Sequence, residues 1–594
     1  MAFGSSRARR VPGPRLLVAL GILCVPAAGK GAEPELDLRD AVVVTAPGLS
    51  GPERSAVTML VEEVEKRAQV RWPVADRWPD TARPVIAVGT AATATQWAGP
   101  HAGSVRAGEA LPAEGFQIRD ATGERTTAAV LVAGNDARGV LFGIGRLLQE
   151  LRMSRGRVAL APAFQVTTAP RLRLRGHQMG YRPKTNSYDA WTVPIWEQYI
   201  RDLAVFGTNA VEMIPPRSDD APDSPHFPLP QIDMVVEVSR ILDKYGLDVW
   251  LWYPALDEDY AKPATVEAAL QEWGAVFAKL PRLDAVLVPG GDPGHTRPRV
   301  LFALLEKQAR VLRQSHPKAE LWMSPQGFDA EWMKEFYELM RAEPAWLTGI
   351  VYGPQIRESL RQIRAGVPAR YPIRLYPDIT HSLNSQYPVP GWDLAYALTQ
   401  GREGINPRPV DETLIFRATQ DASIGFITYS EGCNDDVNKF VWSALGWDPA
   451  TDPLDTLRRY SRYFIGEGYA EGFAQGLMAL ERNWRGPLLT NQGVETTLAQ
   501  FQAMERAASP QDLLNWRFQQ ALYRAYYDAY DRRRLLYETE LEHRALDELR
   551  AARDAGALLA LERAEAVLER AHSQPVAAPL RQRVFELAEA LYQS

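Results

Sequence analysis

From residue 172 to about 447 the chain alternates short apolar runs with longer segments whose apolar residues recur at helical spacing. The runs fall at 172–177, 209–214, 247–254, 283–289, 319–324, 347–352, 372–378 and 423–429. They are read as strands from their apolar or β-branched residues. Between them, residues 194–206, 231–245, 264–279, 298–315, 329–342, 356–366 and 391–399 place apolar residues every three to four positions, the pattern of amphipathic helices. An eighth helical segment, 436–445, closes the series. Eight strand–helix units over about 275 residues predict an α/β fold, a (β/α)8 TIM barrel. A doubly wound open sheet is the competing arrangement.

The flanks read differently. Residues 36–168 mix short strands (Ala41 to Ala46, Val85 to Gly89, Gly115 to Ile118, Ala128 to Ala133) with helical segments at 53–67 and up to Leu151, which predicts a small α+β sandwich. After Trp447-Asp-Pro the pattern turns helical, with long stretches at 497–532 and 535–572. The expected domains are therefore 36–168, 170–447 for the barrel and 448–594 for a helical bundle. The Trp, Tyr and Phe residues along 513–537 are expected in the bundle core.

Composition narrows the function. At 594 residues the chain is ample for several domains, and a net charge of −6 argues against nucleic acid or an anionic membrane as partner. Arg7, Arg9, Arg10 and Arg15 precede an apolar run from Leu16 that ends in small residues near Gly29. That order predicts a cleaved signal peptide over residues 1–30 and a periplasmic or secreted bacterial protein, with no membrane partner after cleavage. Only Cys433 would remain, so no internal disulfide is expected.

A barrel enzyme carries its chemistry on the loops after its strands, and those exits are rich in polar groups. The most informative is 423–438, where an apolar strand runs into Tyr429, Glu431, Asn434, Asp435 and Asp436 just before a helix. The other exits offer His177, Tyr181, Arg182 and Lys184; Glu212; Trp252 and Tyr253; Asp292 and His295; Gln326; Tyr352; and Asp378 and His381. Aromatics, amides and carboxylates together suit a sugar, whose ring faces stack while its hydroxyls need polar partners. Glycosidic cleavage needs two carboxyl groups, one protonated and one ionised. Asp292, in Gly-Gly-Asp-Pro-Gly, and Glu431 are read as the first pair, with Asp378 as a third candidate that could replace either as the base. Structural readings compete: Asp292 as a turn residue, Glu431 as a rim ion pair, one of Asp435 and Asp436 as a helix cap. The chain shows no His-x-x-x-His, His-Glu-x-x-His or Cys cluster, no phosphate loop and no Gly-x-Ser-x-Gly, so no metal and no cofactor are assigned.

The run Gly134-Asn-Asp-Ala-Arg-Gly-Val-Leu-Phe-Gly-Ile-Gly-Arg-Leu-Leu resembles the small α/β domain that precedes the barrel in β-N-acetylhexosaminidases and microbial α-glucuronidases. The resemblance implies a glycoside hydrolase acting on a carbohydrate substrate. The hexosaminidases carry two adjacent acids after the fourth strand, whereas here Asp292 stands between Gly291 and Pro293. The α-glucuronidases are the nearer pattern, and the resemblance implies Asp292 as the acid and Glu431 or Asp378 as the base or nucleophile, although their acid is a glutamate. A uronic acid needs a cationic clamp, for which His177, Arg182, Lys184, His381 and Arg402 are candidates. The expectation is exo-cleavage of a terminal sugar, a uronic acid above others. The alternatives are a hexosaminidase- or sialidase-like enzyme, the latter with Tyr429 as nucleophile, and a glycan-binding barrel without activity. The helical tail is a possible homodimer contact.

Overall fold

The computed structural model describes residues 35–105, 111–122 and 128–593, so the leader assigned to residues 1–30 lies outside the described residues. Strands Leu174–Met179, Ala210–Met213, Asp248–Trp252, Ala285–Pro289, Glu320–Ser324, Gly349–Tyr352, Ile373–Leu375 and Gly425–Thr428 form a closed parallel barrel in chain order. Closure comes from the first strand, whose Gly176 is in register with both Ala210 and Ile427. Successive residues of a strand face opposite sides. Leu174, Ala210, Trp250, Trp252, Leu287, Trp322, Tyr376 and Ile427 therefore fill the interior as one apolar cluster. Large and small residues alternate around it: a Cβ on Gly349 would lie 2.2 Å from the Trp322 ring.

Helices Val193–Val205, Gln231–Tyr245, Pro263–Lys279, Pro298–Ser315, Ala330–Arg341, Leu360–Gly366, Pro409–Thr419 and Asp436–Trp447 surround the barrel. The seventh differs from expectation. The periodic segment at 391–399 yields only Leu394–Thr399, which packs on the C-terminal helix Trp516–Arg550. The barrel's seventh helix is Pro409–Thr419, whose buried face carries Asp411, Glu412 and Thr413 beside Phe416, so its apolar period is weak.

The N-terminal part is a six-stranded sheet, flanked by helices Gly51–Ala68 and Ala137–Glu150 and by a second, three-stranded sheet. The Gly134 to Gly139 turn joins it to the barrel. Asp136 caps the second helix through Gly139 N–H at 2.8 Å, and Arg138 pairs with Glu114 at 3.0 Å and with Asp248. Glu114 also receives the buried Arg175 at 2.6 Å. The C-terminal region is helical, but its breaks are not where the composition placed them. Trp516–Arg550 is one helix of 35 residues, capped by Asn515 and followed by Gly556 with φ 89°. Of the aromatics at 513–537, Phe518 and Tyr526 are buried. Arg517 reaches Asp436 at 2.9 Å, which ties this helix to the barrel. Among the described residues, no helix is long and apolar enough to cross a membrane.

Candidate active site

At the C-terminal mouth of the barrel, the eighth strand runs through Tyr429 to Glu431. Glu431 is 4% exposed. One carboxylate oxygen accepts the Tyr429 hydroxyl, and the other accepts Arg182 Nη2 at 3.2 Å. The His381 Nε2 atom stands 3.8 Å from the first oxygen. Burial pushes the Glu431 carboxyl above its ordinary range, while Arg182, His381 and Lys184 oppose that push. Asp220 bridges the cations, meeting Lys184 Nζ at 2.6 Å and Arg182 Nη1 at 3.3 Å. Gly432 lets the turn close, because a Cβ there would lie 1.6 Å from the Asn186 carbonyl oxygen.

The seventh strand supplies the other wall. Asp378 accepts the backbone N–H groups of Thr380 and His381, each at 3.1 Å, and its second oxygen meets His381 Nδ1 at 2.9 Å. These contacts make it an orienting group for His381. The His381 ring stacks on Tyr429 at 5.5 Å and lies 3.5 Å from Glu403. Burial lowers its pKa, but the carboxylates of Asp378 and Glu403 outweigh that and raise it to about 9. The ring is therefore cationic at neutral pH in the ligand-free protein.

A second polar group sits at the exits of strands four to six. Asp292 is exposed and has φ 55°, a left-handed conformation that Asp tolerates better than most residues. Its carboxylate accepts Gln355 Nε2, and its carbonyl accepts Gln326 Nε2 at 3.3 Å. His295 stacks on Trp332 at 4.4 Å, and the Tyr352 hydroxyl donates to Glu358 O at 3.3 Å. The structure thus gathers Arg182, Lys184, Asp378, His381, Tyr429 and Glu431 at one side. Asp292, Gln326 and Gln355 form a separate group on strands opposite them.

Several sequence candidates go elsewhere, for reasons of strand parity. Gln178 faces the interior, so His177 faces out, where Thr428 Oγ1 at 2.9 Å and Ser443 Oγ at 2.8 Å hold its ring against the eighth helix. Burial drives its pKa well down. Tyr253 also faces out, stacked on Trp273 at 4.1 Å and donating to Glu272 at 3.1 Å. Tyr181 donates to Leu229 O at 2.7 Å and stacks on Phe227. None of these three is at the mouth. Trp252 and Glu212 lie inside the barrel, and Glu212 accepts Arg374 at 2.6 Å and Gln178 at 3.2 Å with no exposed surface. Asp435 accepts Lys439, Thr380 and Ser430, and it makes no cap bond although it occupies the cap position. Asp436 is bound by Tyr199, Tyr460 and Arg517 instead of capping. Asn434 braces the loop through Glu403 O at 2.7 Å.

Sequence reasoning missed Glu403 and Asp220. Glu403 lies in Gln400-Gly-Arg-Glu-Gly, far along the loop after the seventh strand. Asp220 lies in a polar loop after the second. Neither adjoins an apolar run, so the exit rule did not reach them.

No protein-family model matches the chain, and no curated protein sequence matches it. Solved structures do. The enzyme CpGH84B is similar with a TM-score of 0.56 at 12% identity, over 93% of this chain and 98% of that one. A GH115 4-O-methyl-α-glucuronidase, BtGH115A, with specificity for decorated arabinogalactans, is similar with a TM-score of 0.55 at 13% identity, over 94% of this chain and 79% of that one. A Streptomyces plicatus β-hexosaminidase has a TM-score of 0.50 at 13% identity, over 74% of this chain and 93% of that one. The chain shares the barrel architecture of these glycoside hydrolases.

Proposed function

We propose that this protein is a glycoside hydrolase that removes a terminal uronic acid from an oligo- or polysaccharide. The observation that carries the reading is Glu431: a buried carboxylate at the barrel mouth whose neighbours Tyr429 and Arg182 both donate to it. Arg182, His381 and Lys184 favour its anion against burial, and a pKa raised on balance makes that anion, when formed, a stronger base or nucleophile. Asp292, across the mouth on a Gly-rich loop, serves as the acid, and Asp378 positions His381. Arg182, Lys184 and His381 supply the positive field for the sugar carboxylate. The fold shared with a glucuronidase supports this choice as an analogy. The charged-then-apolar order of residues 1–30 supports export.

The test is hydrolysis of aryl uronides, N-acetylhexosaminides, sialosides and neutral glycosides by wild type, Asp292→Asn and Glu431→Gln. Either variant should lower uronide kcat by at least about 100-fold. Undiminished turnover in Asp292→Asn would refute its role as the acid, and turnover confined to neutral sugars would refute the uronide.

The bond from Tyr429 to Glu431 favours a second reading. Glu431 would take the tyrosine proton as the phenolate bonds to the anomeric carbon and the glycosidic C–O bond breaks, the leaving oxygen taking a proton from Asp292, which suits a sialoside. Tyr429→Phe would then abolish sialoside cleavage. In the uronide reading it should lower kcat by about 10–100-fold, the scale of one lost hydrogen bond to a charged group, and leave measurable turnover.

A further inference from the structure

One ring nitrogen of His381 is held by ion pairs without a hydrogen bond. The His381 side chain is 4% exposed, and its Nδ1 is taken by Asp378 at 2.9 Å, but the buried Nε2 has no hydrogen-bond partner. That atom points between two carboxylates, 3.5 Å from Glu403 Oε1 and 3.8 Å from Glu431 Oε1. Both distances are too long for a charge-assisted hydrogen bond, which spans about 2.7–2.9 Å. The three atoms lie within 4.8 Å of one another.

The separations fit a different bonding pattern. Zinc–nitrogen and zinc–oxygen bonds of about 2.0–2.2 Å at tetrahedral angles put neighbouring ligand atoms about 3.3–3.5 Å apart. Glu403 stands at that edge at 3.5 Å and Glu431 beyond it at 3.8 Å, and the two carboxylate oxygens lie within 4.8 Å of each other, so occupancy requires side-chain rotations that draw them together. Asp378, fixed by two backbone N–H groups, supplies the carboxylate that orients a metal-bound imidazole from behind. One imidazole nitrogen with two carboxylate oxygens suits Zn²⁺ better than Mg²⁺ or Ca²⁺, which favour all-oxygen shells. Arg182 and Lys184 lie beyond Glu431 and oppose a cation, while Asp378, Glu403 and Glu431 together bring three negative charges to it.

We propose that His381, Glu403 and Glu431 form a divalent-cation site selective for zinc, with Asp378 as its positioning residue. Binding replaces the Nε2 proton, which is released to solvent. Occupancy engages Glu431, so zinc opposes any base or nucleophile role of that residue.

The test is calorimetric titration of the full chain, free of any affinity tag, with ZnCl2 in the absence of substrate, alongside visible absorbance with CoCl2. The expected result is one equivalent bound at micromolar or tighter affinity with intense cobalt bands, weakened about 10–100-fold by Asp378→Asn. Glu403→Gln should weaken it at least as much. Glu403 sits on a partly exposed loop, so this variant keeps its fold and carries the test. No saturable binding below millimolar zinc would overturn the proposal, as would unchanged affinity in Glu403→Gln and His381→Ala. Binding is read without turnover, so its failure leaves the glycosidase reading standing, and the reverse also holds.

Discussion

Glu412 offers the most quantitative check on how this fold handles buried charge. It lies on helix Pro409–Thr419 with no exposed surface. One oxygen accepts Trp442 Nε1 at 2.7 Å; the other has no hydrogen-bond partner, with Arg408 4.0 Å away. Burial pushes its pKa up, Arg408 and Trp442 pull it down, and Asp378 and Asp411 push it up again, leaving it at about 7 against an ordinary 4.5. A carboxyl whose folded pKa is raised stabilises the fold below its unfolded pKa and loses that stability as pH rises through the folded value. The full shift is worth about 3 kcal/mol, and about 2.5 kcal/mol of it falls between pH 5 and pH 8. Glu412→Gln removes the titration but places an amide N–H2 where the unpartnered oxygen was, at a cost of about 1–3 kcal/mol that does not depend on pH. The variant should therefore gain on wild type by about 2.5 kcal/mol between those two pH values, whatever its offset at either. Urea unfolding of both proteins at several pH values measures this. A constant difference across the range would refute the buried, proton-retaining Glu412.

Three further outcomes follow from the packing. Arg374→Met should cost about 3–5 kcal/mol, because it strands the fully buried Glu212 inside the barrel. Adding Glu212→Met should return much of that loss, and denaturation of the four proteins of the cycle measures it. Gly432→Ala should lower the thermal midpoint and cost more than about 2 kcal/mol, since the new methyl meets the Asn186 carbonyl at 1.6 Å. Tyr253→Phe should leave kcat and KM on any accepted glycoside within about twofold, because its ring packs on Trp273 outside the barrel and it loses one half-buried bond to Glu272; a large kinetic loss would return Tyr253 to the site.

The barrel was legible because most of its strands are buried on both faces and read as apolar runs, as 249–252 and Ala285–Pro289 do, and because helical-period segments separate them. The first strand, with buried Arg175, His177 and Gln178, was placed by its position in that alternation. The Gly134 to Gly139 turn into a helix was legible too, and Asp136 caps that helix, whereas the partners of Arg138, Glu114 and Asp248, come from distant parts of the chain. The seventh helix was not. Its buried face holds Asp411 and Glu412, which meet Glu481 and Trp442 from distant parts of the chain, and Thr413, whose hydroxyl donates to Pro409 O in the same helix. No periodicity rule anticipates a polar residue whose partners are supplied by tertiary contacts.

For the site, the sequence by itself marked polar clusters after apolar runs, and the fold brings Glu431, Asp378, His381 and Arg182 from those clusters together at the barrel mouth. The sequence could not decide which of two adjacent residues faces the mouth. A one-residue change of register exchanges interior and exterior, and only the closed sheet assigns Gln178 and Tyr429 inward and His177 and Tyr253 outward. Nor could it bring Glu403 to His381, because that meeting depends on the path of a long irregular loop after the seventh strand. Local pattern encodes burial and turn geometry, which are properties of a few neighbouring residues. The charge environment of Glu431 belongs to side chains from three loops, and folding alone brings them within reach of one another.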